Sequence, residues 1–145
     1  MKPQSIPILT QHNKIQLERL AYLQEYSRQT DSPRFKLALS QLIEDAEEAI
    51  ARVSSQLRRL DASPGQVEKE TSRQLLQQAR ARRGQAAQMK FVRQGLVLLL
   101  EWYDTHSRQL QDDPDSQAIL TALAEQTRWR LNRFDNLLQE LKVSP

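Results

Sequence analysis

The sequence predicts an all-α fold, and three observations lead to it. Gln, Leu, Arg, Ala and Glu dominate the composition, and these are among the better helix formers. Only three glycines and six prolines interrupt the 145 residues. Long segments carry apolar residues at intervals of three and four, which is the spacing of one helix face. We therefore expect residues 1–145 to form a single domain, a four-helix bundle.

The first hairpin, about 10–62, contains two predicted helices. The first runs from Thr10, an acceptable N-cap, to about Gln29. The segment Asp31-Ser32-Pro33 ends it and starts the second, with Ser32 as the cap and Pro33 in the first turn. The second helix runs to about Leu60, before Ser63-Pro64-Gly65. Its expected inner face consists of Phe35, Leu39, Leu42, Ile43, Ala46, Ala49, Ile50, Val53, Leu57 and Leu60, and Glu44, Asp45, Glu47 and Glu48 are expected to project away.

A crossover, about 63–84, joins this hairpin to the next. Residues Gln66 to Arg83 are polar with a thin apolar line, which predicts a loosely packed helix interrupted at Gly84. The sequence leaves open whether this helix is separate or continues into the next one.

The second hairpin, about 85–142, repeats the design. Its first helix is predicted from about Gln85 to Leu110, and the second from Pro114 to about Lys142, after the break Asp112-Asp113-Pro114. The inner faces are Met89, Val92, Leu96, Leu99 and Tyr103 on the first helix, and Ile119, Leu120, Leu123, Leu131, Phe134, Leu138 and Leu141 on the second.

The two hairpins resemble each other in sequence. A shift of 81 positions pairs residues 20–64 with 101–145 and gives 11 identities over 45 pairs. In this alignment the prolines at helix starts coincide, as in Pro33 and Pro114, and predicted core leucines align with predicted core leucines. We therefore expect two pseudo-repeated hairpins with a long crossover, which is a known four-helix connectivity.

Paired hairpins, proline-started helices and the Leu60–Gly65 turn together resemble the ferritin-like superfamily, including its rubrerythrin and bacterioferritin branches. That resemblance implies a ferritin-like bundle with a di-iron centre, held by one Glu from each of two helices and a Glu-x-x-His from each of the other two. It places the ligands at Ile15, Ala46, Ala49, Leu96, Thr127 and Arg130. None of these side chains is the expected ligand, so we expect no metal and no cofactor.

Arg130 at one of these positions has two interpretations. Its stem could pack while its head reaches water or a carboxylate. Alternatively, it could belong to a polar centre that binds an anion or the hydroxyls of Tyr22 and Tyr103.

Two further groups of residues are candidates for binding. Arg80, Arg82, Arg83, Lys90 and Arg93 form a basic cluster that is either a solvated face or an anion-binding or nucleic-acid site; without interleaved aromatic residues, the solvated face is favoured. Leu98, Trp102 and Trp129 lie off the inner stripes of their helices. They are either covered by the crossover or form a subunit interface, which favours a homodimer.

The sequence offers little support for catalysis. There is no cysteine and no phosphate-binding glycine loop. Asp104, His106 and Ser107 are neighbours on one helix, which is not the geometry of a triad. The N-terminus lacks a secretory signal, and the longest apolar run, Leu96 to Leu100, is too short to span a bilayer. We expect a cytoplasmic protein without membrane contact.

These observations favour a non-enzymatic structural or protein-interaction module. The alternatives are a metal-dependent oxidase or iron-handling protein with displaced ligands, and a basic helical module that binds nucleic acid.

Overall fold

The computed structural model describes residues 4–62 and 69–143, with side chains in the second range from residue 74 onward. The described residues form five helices and no strand. They are α1 (Ser5–Gln29), α2 (Pro33–Arg59), α3 (Lys69–Arg80), α4 (Gln85–Arg108) and α5 (Pro114–Glu140). The all-α prediction is confirmed. None of the helices in the described ranges has both the length and the apolar character needed to cross a bilayer.

Helix α1 begins five residues earlier than predicted. The predicted cap, Thr10, lies inside the helix, which starts at Ser5. Pro7 is tolerated in the first turn because the first four N–H groups of a helix have no intrahelical acceptor. The early start is anchored by tertiary contact, since the Ser5 hydroxyl donates to the Asp113 carboxylate at 2.7 Å and Leu9 is fully buried.

Helix α2 starts with the predicted cap, and α5 starts with a cap 81 positions later. The Ser32 hydroxyl accepts from the Phe35 N–H at 3.2 Å, and the Asp113 carboxylate accepts from the Ser116 N–H at 3.3 Å. Each helix has 27 residues. Their starts and their ends are each 81 positions apart.

The same turn closes both helices. Asp61 and Lys142 each adopt a φ of 59°. The N–H of the next residue then donates to a carbonyl of the last helical turn, from Ala62 to Leu57 and from Val143 to Leu138. This is the Schellman arrangement. The helix therefore ends before Ser63-Pro64-Gly65, which the sequence had suggested as the stop; those three residues lie outside the described ranges.

The crossover helix α3 is separate from α4. Gly84 divides them with a φ of 85° and a ψ of 155°, a conformation that only glycine adopts readily. The C-terminal end of α3 packs against α1. The Tyr26 hydroxyl donates a hydrogen bond to the Ala79 carbonyl at 2.7 Å, and Ala79 is fully buried. The structure thus answers the question that the sequence left open.

The predicted inner faces form the core. On α2, seven of the ten predicted residues are buried and Ile43, Ile50 and Leu60 are partly buried. The complete predicted stripe of α4 is buried. The packing is uneven, however. α1 packs extensively on α2, and α4 on α5, whereas α1 and α4 touch at few points. This uneven packing leaves a groove between α1 and α4.

Candidate functional site

Five of the six positions that the ferritin-like resemblance assigned to iron ligands converge on the bundle centre. A cavity of about 20 Å³ there is lined by five of the six: Ala46, Ala49, Leu96, Thr127 and Arg130. This is about the space of one water molecule. The sixth, Ile15, does not reach the centre and lines the groove between α1 and α4 instead.

The centre-facing residue of α1 is Gln16. The inner face of this helix follows Leu9, Gln16 and Leu23, which are all buried. The resemblance placed this ligand seven residues before Tyr22, taken as facing inward, which gives Ile15 and falls one residue short of Gln16. Tyr22 is buried, but its ring lies against Phe91 at 5.0 Å between centroids, beside the groove.

Arg130 pairs with Asp45 across the bundle. Its Nε donates to Oδ2 at 2.5 Å and its Nη2 to Oδ1 at 3.2 Å, while Nη1 donates to the Gln41 amide oxygen at 3.2 Å. The interpretation in which the head of Arg130 reaches a carboxylate is confirmed. The expectation that Asp45 projects away from the bundle is wrong, because this ion pair draws it toward α5.

These residues do not fit a di-iron centre. Two iron cations need several converging carboxylates and imidazoles. Of the described residues that line the central cavity, Asp45 alone carries a carboxylate, and it is held by Arg130. Among the described residues, no group of three or more His, Asp or Glu side chains is placed to hold a metal ion.

A buried polar network that the sequence prediction missed lies beside the central cavity. Tyr103 Oη is 2.7 Å from His12 Nε2 and accepts from Gln16 Nε2 at 2.9 Å. The other imidazole nitrogen, Nδ1, is 3.0 Å from the Asn13 amide oxygen, and Asn13 donates to the Ser54 hydroxyl at 3.0 Å. The signal was available, since His12 and Gln16 fall between Leu9 and Leu23 on one helix face.

Burial keeps this network neutral. It lowers the pKa of His12 to about 4, and the nearby charge of Arg19 acts in the same direction while the bond to Asn13 opposes it. Burial also raises the pKa of Tyr103 above its usual value. His12 is fully buried and Tyr103 is 1 % exposed, so a substrate cannot reach them. The network therefore links α1 to Tyr103 on α4 and to Ser54 on α2.

Arg19 stands at the edge of this network with an unusual environment. It is only 5 % exposed, and its Nη1 donates to the Gln16 amide oxygen at 2.8 Å. Its Nε has no hydrogen-bond partner. No ion pair with Arg19 occurs within the described ranges. A buried charge without a counter-charge is unfavourable.

Arg19 opens into the groove between α1, α3 and α4, which we call the Arg19 groove. It encloses about 640 Å³. Its walls are mainly apolar and include Ile15, Tyr22, Leu75, Phe91, Leu98 and Leu99, and its polar residues include Glu18, Arg19, Arg82, Lys90 and Trp102. Leu98 on its rim is 55 % exposed.

Residues that carry unpartnered polar atoms line the Arg19 groove. In the described part of the chain, three buried side-chain atoms lack a hydrogen-bond partner: Glu18 Oε1, Arg19 Nε and Trp102 Nε1. All three residues line this groove. Burial here raises the pKa of the Glu18 carboxyl, while neighbouring Lys14 opposes that rise. Buried polar atoms normally have a hydrogen-bond partner, so three unpartnered atoms in residues that line one groove require an explanation.

The predicted interface residues do not form one surface. Leu98 and Trp102 line the Arg19 groove, where the Trp102 ring stacks on His106 at 4.2 Å between centroids. Trp129 is 53 % exposed and lies under the guanidinium groups of Arg130 and Arg133. Because Arg130 reaches to α2, Trp129 belongs to a different side of the bundle.

The predicted basic cluster is also divided. Arg80 pairs with Glu25, and Arg93 pairs with Asp135 at 2.6 Å. Arg82 and Lys90 line the Arg19 groove, with the Arg82 guanidinium over the Phe91 ring, and Arg83 is exposed.

The three neighbours considered for a triad have other contacts. His106 Nδ1 lies 2.8 Å from the Trp102 carbonyl oxygen. The Ser107 hydroxyl donates to the Asp104 carbonyl at 3.4 Å. In the described structure neither hydroxyl nor carboxylate is bonded to this imidazole.

The sequence matches no protein-family model, and searches of curated proteins and of solved structures return no significant match.

Proposed function

We propose that this protein is a non-enzymatic interaction module, a helical bundle without a di-iron centre, that binds an elongated apolar ligand in the Arg19 groove. The observation that carries the proposal is the coincidence of apolar walls with three unpartnered buried polar atoms, from Glu18, Arg19 and Trp102. A groove that buries a ligand gains from apolar contact, and a few polar groups orient it.

The size of the groove suits a small molecule. Its volume of about 640 Å³ lies within the usual range of ligand sites, which is roughly 300–1,000 Å³. Along α4 its lining extends from Ala87 to Trp102, or roughly 22 Å at 1.5 Å per residue. An elongated aliphatic molecule matches this shape better than a compact one.

The ferritin-like arrangement is part of the same proposal. It is supported by the 81-residue spacing of the starts and ends of α2 and α5, and by five predicted positions that line one central cavity. In this proposal, the Arg130–Asp45 pair and small side chains occupy the place that relatives give to iron.

A neutral fluorescent probe tests binding. Nile red, whose emission rises in apolar surroundings, should bind the purified protein saturably at one equivalent. Leu98→Glu should weaken that binding by about tenfold or more, because it puts a charge on the apolar rim. Leu37→Glu is the matched control, since Leu37 on α2 is 61 % exposed but outside the groove. Absent saturation, or equal weakening by both variants, would refute the proposal.

A second copy of this chain is the competing occupant, as the predicted homodimer requires. A two-fold interface places the same patch against itself, which would bring the cations Arg82 and Lys90 of one copy toward those of the other. Light scattering separates the two cases. A mass that doubles with concentration, and that Leu98→Glu returns to a monomer, would make the groove a subunit interface.

A further inference from the structure

The chemistry of the Arg19 groove defines the head group of its occupant. Resting on the proposed function, we propose that the ligand is an aliphatic monocarboxylate whose head accepts hydrogen bonds from Arg19 and whose tail follows the apolar wall along Leu98 and Phe91.

The guanidinium supplies an uncompensated buried charge. Arg19 is 95 % buried, its Nη1 bonds to a neutral amide, and its Nε has no partner. A guanidinium presents donors in a planar fork that matches the two oxygens of a carboxylate. Glu18 does not serve as the counter-ion, because successive residues of a helix point in different directions and its own Oε1 is also unpartnered.

The side chains behind Arg19 hold it in position. The Gln16 oxygen accepts from Arg19, which directs the Gln16 amide nitrogen to the Tyr103 hydroxyl. That hydroxyl is fixed in turn by His12. A donor whose orientation is set in advance binds its acceptor with a smaller loss of entropy.

The charge of the groove selects an anion. Of the lining residues that the structure describes, Arg19, Arg82 and Lys90 contribute three positive charges, against the single carboxyl of Glu18. Arg82 and Lys90 are exposed, so their charges are screened by water, whereas Arg19 is not. One buried charge matches a monoanion. Trp102, whose indole N–H is unpartnered, also lines the groove and adds another donor.

Displacement of Nile red by single-chain amphiphiles tests the inference. The probes are dodecanoate, dodecanol, dodecyl phosphate and dodecyltrimethylammonium, each below its micelle concentration, with circular dichroism to check that the fold is kept. Dodecanoate should displace Nile red about tenfold more effectively than dodecanol, since only the carboxylate pairs with the guanidinium. Dodecyltrimethylammonium should be the weakest.

Variants locate the effect at Arg19. In Arg19→Gln the preference for dodecanoate over dodecanol should disappear while Nile red still binds. Arg82→Gln should keep it, because Arg82 is exposed. Should Arg19→Gln fail to fold, Arg19→Lys replaces it. Lysine keeps the charge without the planar fork, so the preference should fall by about threefold or more.

The outcomes separate the two proposals. If Nile red does not bind, the proposed function fails. If Nile red binds but dodecanoate and dodecanol displace it equally, only the carboxylate inference fails. Stronger displacement by dodecyl phosphate would overturn the assignment of a monocarboxylate in favour of a phosphate head, and so would retention of the preference in a folded Arg19→Gln variant.

Discussion

The guanidinium of Arg130 on α5 meets the carboxylate of Asp45 on α2 with both side chains mostly out of water. The exposed fractions of the two side chains are 18 % and 17 %. Removing one partner leaves the other charge poorly solvated, so Asp45→Ala should lower the free energy of unfolding by about 2–3 kcal/mol. Removing both, with Asp45→Ala and Arg130→Met together, should cost less than Asp45→Ala alone.

Urea unfolding of the two single variants and the double variant measures this coupling. The control is Glu125→Ala, which breaks the exposed pair with Arg128 and should change the free energy of unfolding by at most about 1 kcal/mol. Additive effects of Asp45→Ala and Arg130→Met would show that the pair contributes no coupling.

Burial of His12 predicts a specific acid sensitivity. Its pKa is lowered from 6.5 to about 4 in the folded protein, so the folded state binds fewer protons than the unfolded state. The stability that depends on neutral His12 is therefore complete above about pH 6.5, and it is lost as the pH falls toward 4, by roughly 3 kcal/mol in total. Urea unfolding between pH 7 and pH 4 should show this loss in the wild-type protein.

The variant His12→Gln should lose part of that pH dependence, because glutamine does not titrate. His106→Gln is the matched control, since it removes the other, partly buried histidine from α4 and leaves the fully buried imidazole of His12 in place. If His12→Gln and the wild-type protein show the same slope with pH, His12 does not carry the acid sensitivity.

The contact between Tyr22 and Gly95 predicts an unusual effect of alanine. Within a helix, Gly→Ala ordinarily stabilises by roughly 1 kcal/mol. A Cβ at position 95 would overlap the Tyr22 hydroxyl, and Tyr22 is only 2 % exposed, with its ring packed against Tyr26 and Phe91. Gly95→Ala should therefore destabilise the protein by about 1–3 kcal/mol.

Thermal unfolding of Gly95→Ala and of Gly95→Ala combined with Tyr22→Phe checks the cause. Removing the hydroxyl should recover most of the loss, so that the double variant is more stable than Gly95→Ala. A stabilising effect of Gly95→Ala alone would mean that α1 and α4 separate easily at this point.

The two helix caps should differ in importance although they occupy equivalent positions. The Ser32 hydroxyl accepts one backbone bond, so Ser32→Ala should cost about 1 kcal/mol. Asp113 is 5 % exposed and also accepts from the hydroxyls of Ser5 and Ser116 at 2.7 and 2.6 Å. Asp113→Ala should cost about 2–4 kcal/mol, because it leaves buried donors without an acceptor. Urea unfolding compares the two, and equal losses would contradict the role given to Ser5.

Much of the fold could be predicted because it depends on residues close together in the chain. Ser32-Pro33 and Asp113-Pro114 contain their own cap and first turn, and both helices start there. The contacts of α1 were harder to predict. Its start at Ser5 depends on Asp113, which lies 108 positions away, and its inner face contains His12 and Gln16 where an apolar pattern was sought.

The candidate site could be predicted only in part. The sequence indicated which residues would surround the bundle centre on three of the helices, and that they lack iron ligands. It did not identify Asp45 as the partner of Arg130, because these residues lie 85 positions apart on different helices. Leu98 and Trp102 were recognised as lying off the inner stripe, but nothing in the sequence joined them to Arg19.

By itself, then, the sequence determined the all-helical class, the ends of most helices and the faces that form the core, because capping and helical periodicity act over a few residues. Only the tertiary structure decided that α1 and α4 touch at few points and leave a groove, that Arg19 is buried without a counter-charge among the described residues, and that the three residues with unpartnered polar atoms line this groove. Those features depend on how distant helices approach one another, and the side chains that set this distance, such as Tyr22 against Gly95, come from separate parts of the chain.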